Sequence, residues 1–152
     1  MAKEYLNAFM NNSATIRDVL AADITGAPHK AVTYNANGKL ALPASDGDAA
    51  VGFILSDAPT NDSGVTAAGT EVDVLIKDIG LGEAGAAIAK GAFVTATKDG
   101  TVKTAEAGNF ILGTAMTAAT AAGNLVQVQL TKSGYFPAAS KTDNTDDTNK
   151  EV

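Results

Sequence analysis

The chain has 152 residues, 17 Asp and Glu against 11 Lys and Arg, a net charge of −6, and neither cysteine nor tryptophan. That length suits one domain or a tightly fused pair. The missing cysteine removes disulfides, thiolate catalysis and sulfur-ligated metals, and an acidic chain without clustered Lys and Arg argues against a nucleic-acid surface. His29 is the single histidine, which excludes an imidazole metal cage within one chain. No apolar run approaches the ~20 residues of a membrane-spanning helix. The start, MAKEYLNAFMNNS, lacks a charged-then-apolar leader pattern, so an intracellular product is expected. Alanine makes up much of the apolar fraction, and the core is expected to be thin and rich in small residues.

Residues 1–28 differ in pattern from the rest of the chain. Tyr5, Leu6, Phe9 and Met10 fall at helical spacing, as do Ile16, Val19, Leu20 and Ile24. Asn11, Asn12 and Ser13 separate the two groups, and Ser13 suits a helix cap. Two readings stand: one or two short helices packed on the domain, or an N-terminal arm that reaches a neighbouring subunit. Gly26, Ala27 and Pro28 end the region.

From His29 the period changes to two. AVTY at 31–34 and KLAL at 39–42 read as strands around a turn with Asn37 and Gly38, residues that tolerate positive φ. VGFIL at 51–55 reads as a buried strand. EVDVLIK at 71–77 alternates cleanly, with Val72, Val74 and Ile76 on one face. A glycine-rich linker, residues 78–90, then crosses as extended chain. FVTAT at 93–97, TVKT at 101–104, FILGTA at 110–115 and NLVQVQL at 124–130 repeat the scheme. Val32 aligns with Val94, Gly38 with Gly100, Leu40 with Val102, Val51-Gly52 with Leu112-Gly113 one residue out of phase, and the strand from Gly69 with the strand from Gly123. The chain therefore reads as mainly β: a compact small barrel or sandwich over residues 29–137, built from two similar four-strand halves, about 29–77 and 91–131. Pairing two such halves buries faces and limits exposed edges. Tyr135 and Phe136 close the ordered part, packed on the domain or on a partner. Residues 138–152, ending in KTDNTDDTNKEV, have the composition of a flexible acidic tail.

Candidate chemistry is sparse. His29 has no specific nucleophile and orienting acid in the sequence. Asp46, Asp48, Asp57 and Asp62 sit in loops, but Asp46-Gly47-Asp48 lacks the rest of a calcium loop, and aspartate beside glycine is ordinary turn chemistry. Gly80, Gly82 and Gly85 spell G-x-G-x-x-G without the helix that a dinucleotide site needs. No catalytic residue, cofactor or metal is assigned.

Several phrases resemble a known family: AGAAIAKG at 84–91, FVT with the turn at Asp99-Gly100, ILG at 111–113 and GNLVQVQL at 123–130. With KLALP at 39–43 and Val51-Gly52, they are similar to bacteriophage head decoration, or capsid cement, proteins across roughly residues 29–132. The resemblance implies a non-enzymatic structural protein, usually a homotrimer, made in the host cytoplasm. It would sit on the outside of an assembled phage head and bridge major capsid protein subunits without touching DNA or membrane. The N-terminal stretch departs from the shorter starts of that family, and Tyr5, Leu6, Phe9, Met10, Tyr135 and Phe136 are the expected partner-binding residues. A carbohydrate-binding or adhesive β-domain on a virion surface is the alternative, and a small hydrolase on a β-barrel a further rival.

Overall fold

The computed structural model describes residues 14–138. Short alternating runs broken by Gly, Asn, Asp and Ser become strands throughout, with no helix among the described residues. In chain order these are β1 (Thr15–Val19), β2 (Ile24–Thr25), β3 (Ala31–Tyr34), β4 (Leu40–Ala41), β5 (Gly52–Ile54), β6 (Val65–Thr66), β7 (Glu71–Leu75), β8 (Ile79–Glu83), β9 (Phe93–Ala96), β10 (Val102–Thr104), β11 (Phe110–Ala115) and β12 (Leu125–Tyr135).

They form two five-stranded sheets, β1-β7-β5-β3-β4 and β8-β12-β11-β9-β10, and a small β2-β6 ladder. The two orders are the same order. Each half holds the four expected strands and a fifth at the edge, β1 or β8. The register repeats as well: Ile54, Val74 and Ile16 lie side by side in the first sheet, and Ala115, Val128 and Gly80 in the second. Smaller details agree. A parallel bridge joins Leu20 to Leu40 and its counterpart joins Ala84 to Val102, while the Ile24–Thr66 pair of the small ladder has its counterpart in the bridge between Ile88 and Ala119. Each sheet curls until its two edges touch at one bridge. The result is a sandwich-like pair of curled sheets, not a closed barrel.

Two expectations are corrected here. Ile16, Val19, Leu20 and Ile24 match helical spacing but lie in strand and bridge positions. Asp18 disguised the period of two: it shares a strand face with Ile16, accepting hydrogen bonds from the Tyr34 hydroxyl at 3.1 Å and the Val19 N–H at 2.8 Å. The second concerns residues 78–90, expected as a plain linker. Its first part is β8, laddered to β12 from Ile79–Gln129 to Glu83–Leu125. Residues 1–13, the other possible helix or arm, lie outside the described residues, as do 139–152.

The turn after β3 also differs in detail. Gly38 has φ of 70°, Asn37 does not share it, and the Asn35 side chain closes the loop by accepting from the N–H groups of Asn37 and Lys39, both at 3.0 Å. This is the three-residue hairpin with glycine at the left-handed position.

Packing separates into two clusters. One lies within the first unit and holds Leu20, Val32, Leu40, Ile54, Val72 and Val74. The other belongs to the second unit, with Val94, Val102, Leu112, Val126 and Val128 at its centre, but Ala31, Ala50 and Phe53 of the first unit join it. Phe53, 1% exposed, is the link. Its ring lies over Gly80 and Gly82, where an added Cβ would come within 3.0 and 2.8 Å of ring carbons. Those glycines leave the room that the ring fills. Complete burial of such a side chain contributes about 1.5–3 kcal/mol. Hydrogen bonds support the junction: Ala31 N–H to the Gly100 carbonyl at 2.7 Å, Gly47 N–H to the Ala96 carbonyl at 2.9 Å, and Phe110 N–H to the Gly47 carbonyl at 2.8 Å.

Candidate functional site

Reactive groups do not converge. Among the described residues, no group of three or more His, Cys, Asp or Glu is placed to hold a metal. His29 has φ of 68°, donates its N–H to the Ile54 carbonyl at 2.9 Å, and accepts at its own carbonyl from the Glu83 N–H at 3.2 Å. It borders a groove of about 230 Å³ with Phe53, Leu75, Ile79 and Leu81, and no carboxylate lines that groove. Asp48 accepts from the Ser45 N–H, which is turn chemistry, while Asp46 accepts from the Lys98 N–H of the second unit and acts as a tie between the two units. The Gly80, Gly82, Gly85 spelling has a packing reason: the first two glycines lie in β8 beneath Phe53.

Charged groups act mainly as cross-links. Arg17 and Asp73 lie opposite each other on β1 and β7 and form a two-pronged pair, each contact 2.9 Å. The hydrogen bond from Arg17 holds the Asp73 carboxyl below the usual carboxylate range and raises the guanidinium further above its own. Lys30 meets Glu83 at 2.9 Å across the unit junction. Lys132 donates to the carbonyl of Ile76 at 2.7 Å and that of Val51 at 3.3 Å, and partial burial lowers its pKa. Burial raises the Tyr34 phenol, assisted by Asp18.

What the molecule does present is apolar surface on the second unit. Direct neighbours across antiparallel strands share a sheet face. Phe93, Thr114, Gln129 and Ile79 therefore form one outward row, with Gln127 and Leu81 in a parallel row, and Leu125 beside Glu83 beyond. Ile79 is 53% exposed, Phe93 48%, Leu125 47% and Leu81 41%. At one end stand two edge-to-face aromatic pairs, Phe110–Tyr135 with centroids 5.5 Å apart and Phe93–Phe136 at 6.3 Å. Tyr135 is 65% exposed, whereas Phe136 is half-buried on Phe93. The backbone of Phe136 is pinned, donating to the Asn109 carbonyl at 2.7 Å and accepting from the Gly108 N–H at 2.9 Å.

Of the expected partner-binding residues, Tyr135 and Phe136 thus each join an aromatic pair on the second unit, Tyr135 with Phe110 and Phe136 with Phe93. Tyr5, Leu6, Phe9 and Met10 lie outside the described residues. Ile79, Leu81, Phe93 and Leu125 were not singled out by the sequence. Ile79 and Leu81 fall in the expected linker, Phe93 and Leu125 in strands whose apolar residues read as core, and comparison of the two copies is what marks them: Leu81 opposite Gln127 stands where the first unit has Arg17 opposite Asp73.

Comparison with known proteins adds a family. Residues 63–130 match the phage cement protein family, a span that runs from β6 through most of β12. Nothing among the curated proteins matches. A solved structure of similar fold is the N base of the head fiber protein gp8.5 of bacteriophage phi29, at a TM-score of 0.52 and 17% identity, covering 79% of this chain and 95% of that one. At such identity the likeness is one of fold. The resemblance to phage head decoration proteins is thereby shown: over residues 63–130 this chain is similar to phage cement proteins.

Proposed function

We propose that this protein is a non-enzymatic component of a phage virion that binds the outer surface of the assembled head, bridges major capsid protein subunits and stabilises the shell, acting as a homotrimer. The observation that carries the reading is the match of residues 63–130 to phage cement proteins. A fold shared with a head fiber base accords with it.

The physical chemistry points the same way. A cement needs a stiff shape and many modest contacts. Curled sheets joined by a buried ring supply stiffness, and the exposed apolar and aromatic side chains of the second unit supply contact area. Three linked copies on a symmetric site gain avidity without any strong single contact. Tyr5, Leu6, Phe9 and Met10 are proposed as further anchors, and Tyr135 with Phe136 as part of the gripping surface.

The test is to mix purified protein with bare heads and measure bound copies and the temperature at which the heads burst. Saturable binding with a raised bursting temperature is the expected result. No binding at micromolar protein overturns the proposal, and a strong glycan-array signal in its place moves the assignment to the carbohydrate-binding alternative.

A further inference from the structure

We propose that the outward face of β8, β12 and β9 is the surface through which one copy of this chain docks a second copy. The inference rests on the self-association included in the function proposed above and names the surface responsible.

The duplication provides an internal control. Both units reach the same strand order and register. At matching positions the first unit carries Thr15, Arg17 and Glu71 where the second carries Ile79, Leu81 and Leu125. The fold is therefore achieved with polar residues at these places. Single exposed apolar side chains are ordinary, but Ile79, Leu81, Leu125 and Phe93 gather on one face, all at least 41% exposed. Folding does not demand them, which leaves binding.

The first unit also indicates the occupant. Its matching row is Ala31, Phe53, Leu75 and Thr15. Ala31 and Phe53 are buried there, with Leu75 packed alongside, in the core cluster of the second unit. What covers this face inside the chain is a β-unit of the same kind. On the second unit the corresponding face is open. It runs on into that junction, because Ile79 and Leu81 line the groove beside Phe53 and Leu75. Charge agrees. The chain carries −6, and two acidic copies repel least where their surfaces are neutral. The charged side chain in these rows is Glu83, held by Lys30 at 2.9 Å.

The experiment transplants the first unit's own solution. Leu81→Arg with Gln127→Asp copies the Arg17–Asp73 pair, and Leu125→Glu copies Glu71. Wild type and variants are sized by light scattering across a concentration series, with thermal unfolding measured in parallel. The expected wild-type mass is a multiple of the 15.3 kDa chain. The grafted variant is expected at the single-chain mass with its unfolding midpoint nearly unchanged. A folded variant that keeps the wild-type mass overturns this face while leaving self-association standing. If the triple graft does not fold, Leu125→Glu alone is read in the same way. A wild type of single-chain mass throughout overturns the inference and the trimer together. Head binding, measured separately, reports on the rest of the proposed function.

Discussion

The Phe53 ring offers a quantitative test of how the two units are held together. Truncation by Phe53→Ala removes a side chain that is 1% exposed and packed on Gly80 and Gly82, a loss of about 3–5 kcal/mol. With a urea m-value of about 2 kcal/mol per molar, the midpoint falls by roughly 2 M. Gly82→Ala perturbs the same place from the other side. Its new Cβ stands 2.8 Å and 2.9 Å from two carbons of the ring, inside the ordinary contact distance of about 3.5–4.0 Å. Such overpacking costs about 1–3 kcal/mol. In the double variant the methyl group enters space that the ring has vacated. The combined loss is therefore expected to be smaller than the sum, with a coupling of about 1–3 kcal/mol. Urea unfolding monitored by circular dichroism, on both single variants and the double, completes the cycle. Additivity within about 0.5 kcal/mol would refute the claim that β8 glycines exist to accept Phe53.

Gly52 and Gly113 should behave alike, because a Cβ on either would land on a carbonyl oxygen of the neighbouring strand, that of Leu75 or of Gln129. Alanine at either position is expected to lower soluble yield and the unfolding midpoint sharply, and a wild-type midpoint for either variant defeats the equivalence. The Arg17–Asp73 pair predicts a small acid dependence. Asp73 titrates lower in the folded chain than its unfolded value of about 3.9, so its contribution is present above that value and is lost as pH falls through the lower folded one. Arg17 is largely exposed and Asp73 half-buried at the surface, so solvent screens the pair and the effect should be slight beside that of Phe53; Arg17→Met should remove it, and an unchanged acid limb in stability curves counts against the pair. Deleting residues 1–12 is expected to reduce occupancy on bare heads without lowering the unfolding midpoint, and unchanged occupancy and head stability would remove Tyr5, Leu6, Phe9 and Met10 from the anchor set.

Strands whose alternation tracks burial were legible from the sequence. β7 is the plainest case, with Val72 and Val74 buried between exposed or half-buried neighbours, and β12 repeats it. The duplication was legible through Gly38 and Gly100 and through the alternating strands after Gly69 and Gly123, and the structure adds that Gly52 and Gly113 face the same backbone collision. The fifth strand of each unit was hidden for opposite reasons. In β1 an acid, Asp18, shares the face of Ile16 and is satisfied by Tyr34, which breaks the apolar period. In β8 the inward positions are Gly80 and Gly82, so the apolar residues Ile79 and Leu81 point outward and the alternation is inverted. The Phe53 ring and the Leu75 side chain, brought in from β5 and β7 of the other unit, make that sensible, and no local window contains them with β8. The candidate surface was half legible. Tyr135 and Phe136 stand out as aromatic residues after the last repeat, whereas Ile79 and Leu81 fall in an expected linker and Leu125 looks like core until the first unit is laid beside it.

The two parallel bridges, Leu20 to Leu40 and Ala84 to Val102, bear on how this protein tolerates crowding. Each brings a sheet's outermost strands together, and the partners on the far side, β4 and β10, are only two and three residues long. Little unpaired backbone is left in register to recruit an extended segment from a neighbour. Curling the sheets therefore leaves this β-protein little backbone for edge-to-edge pairing with its neighbours. Its side chains, and not its backbone, are left to choose the company it keeps.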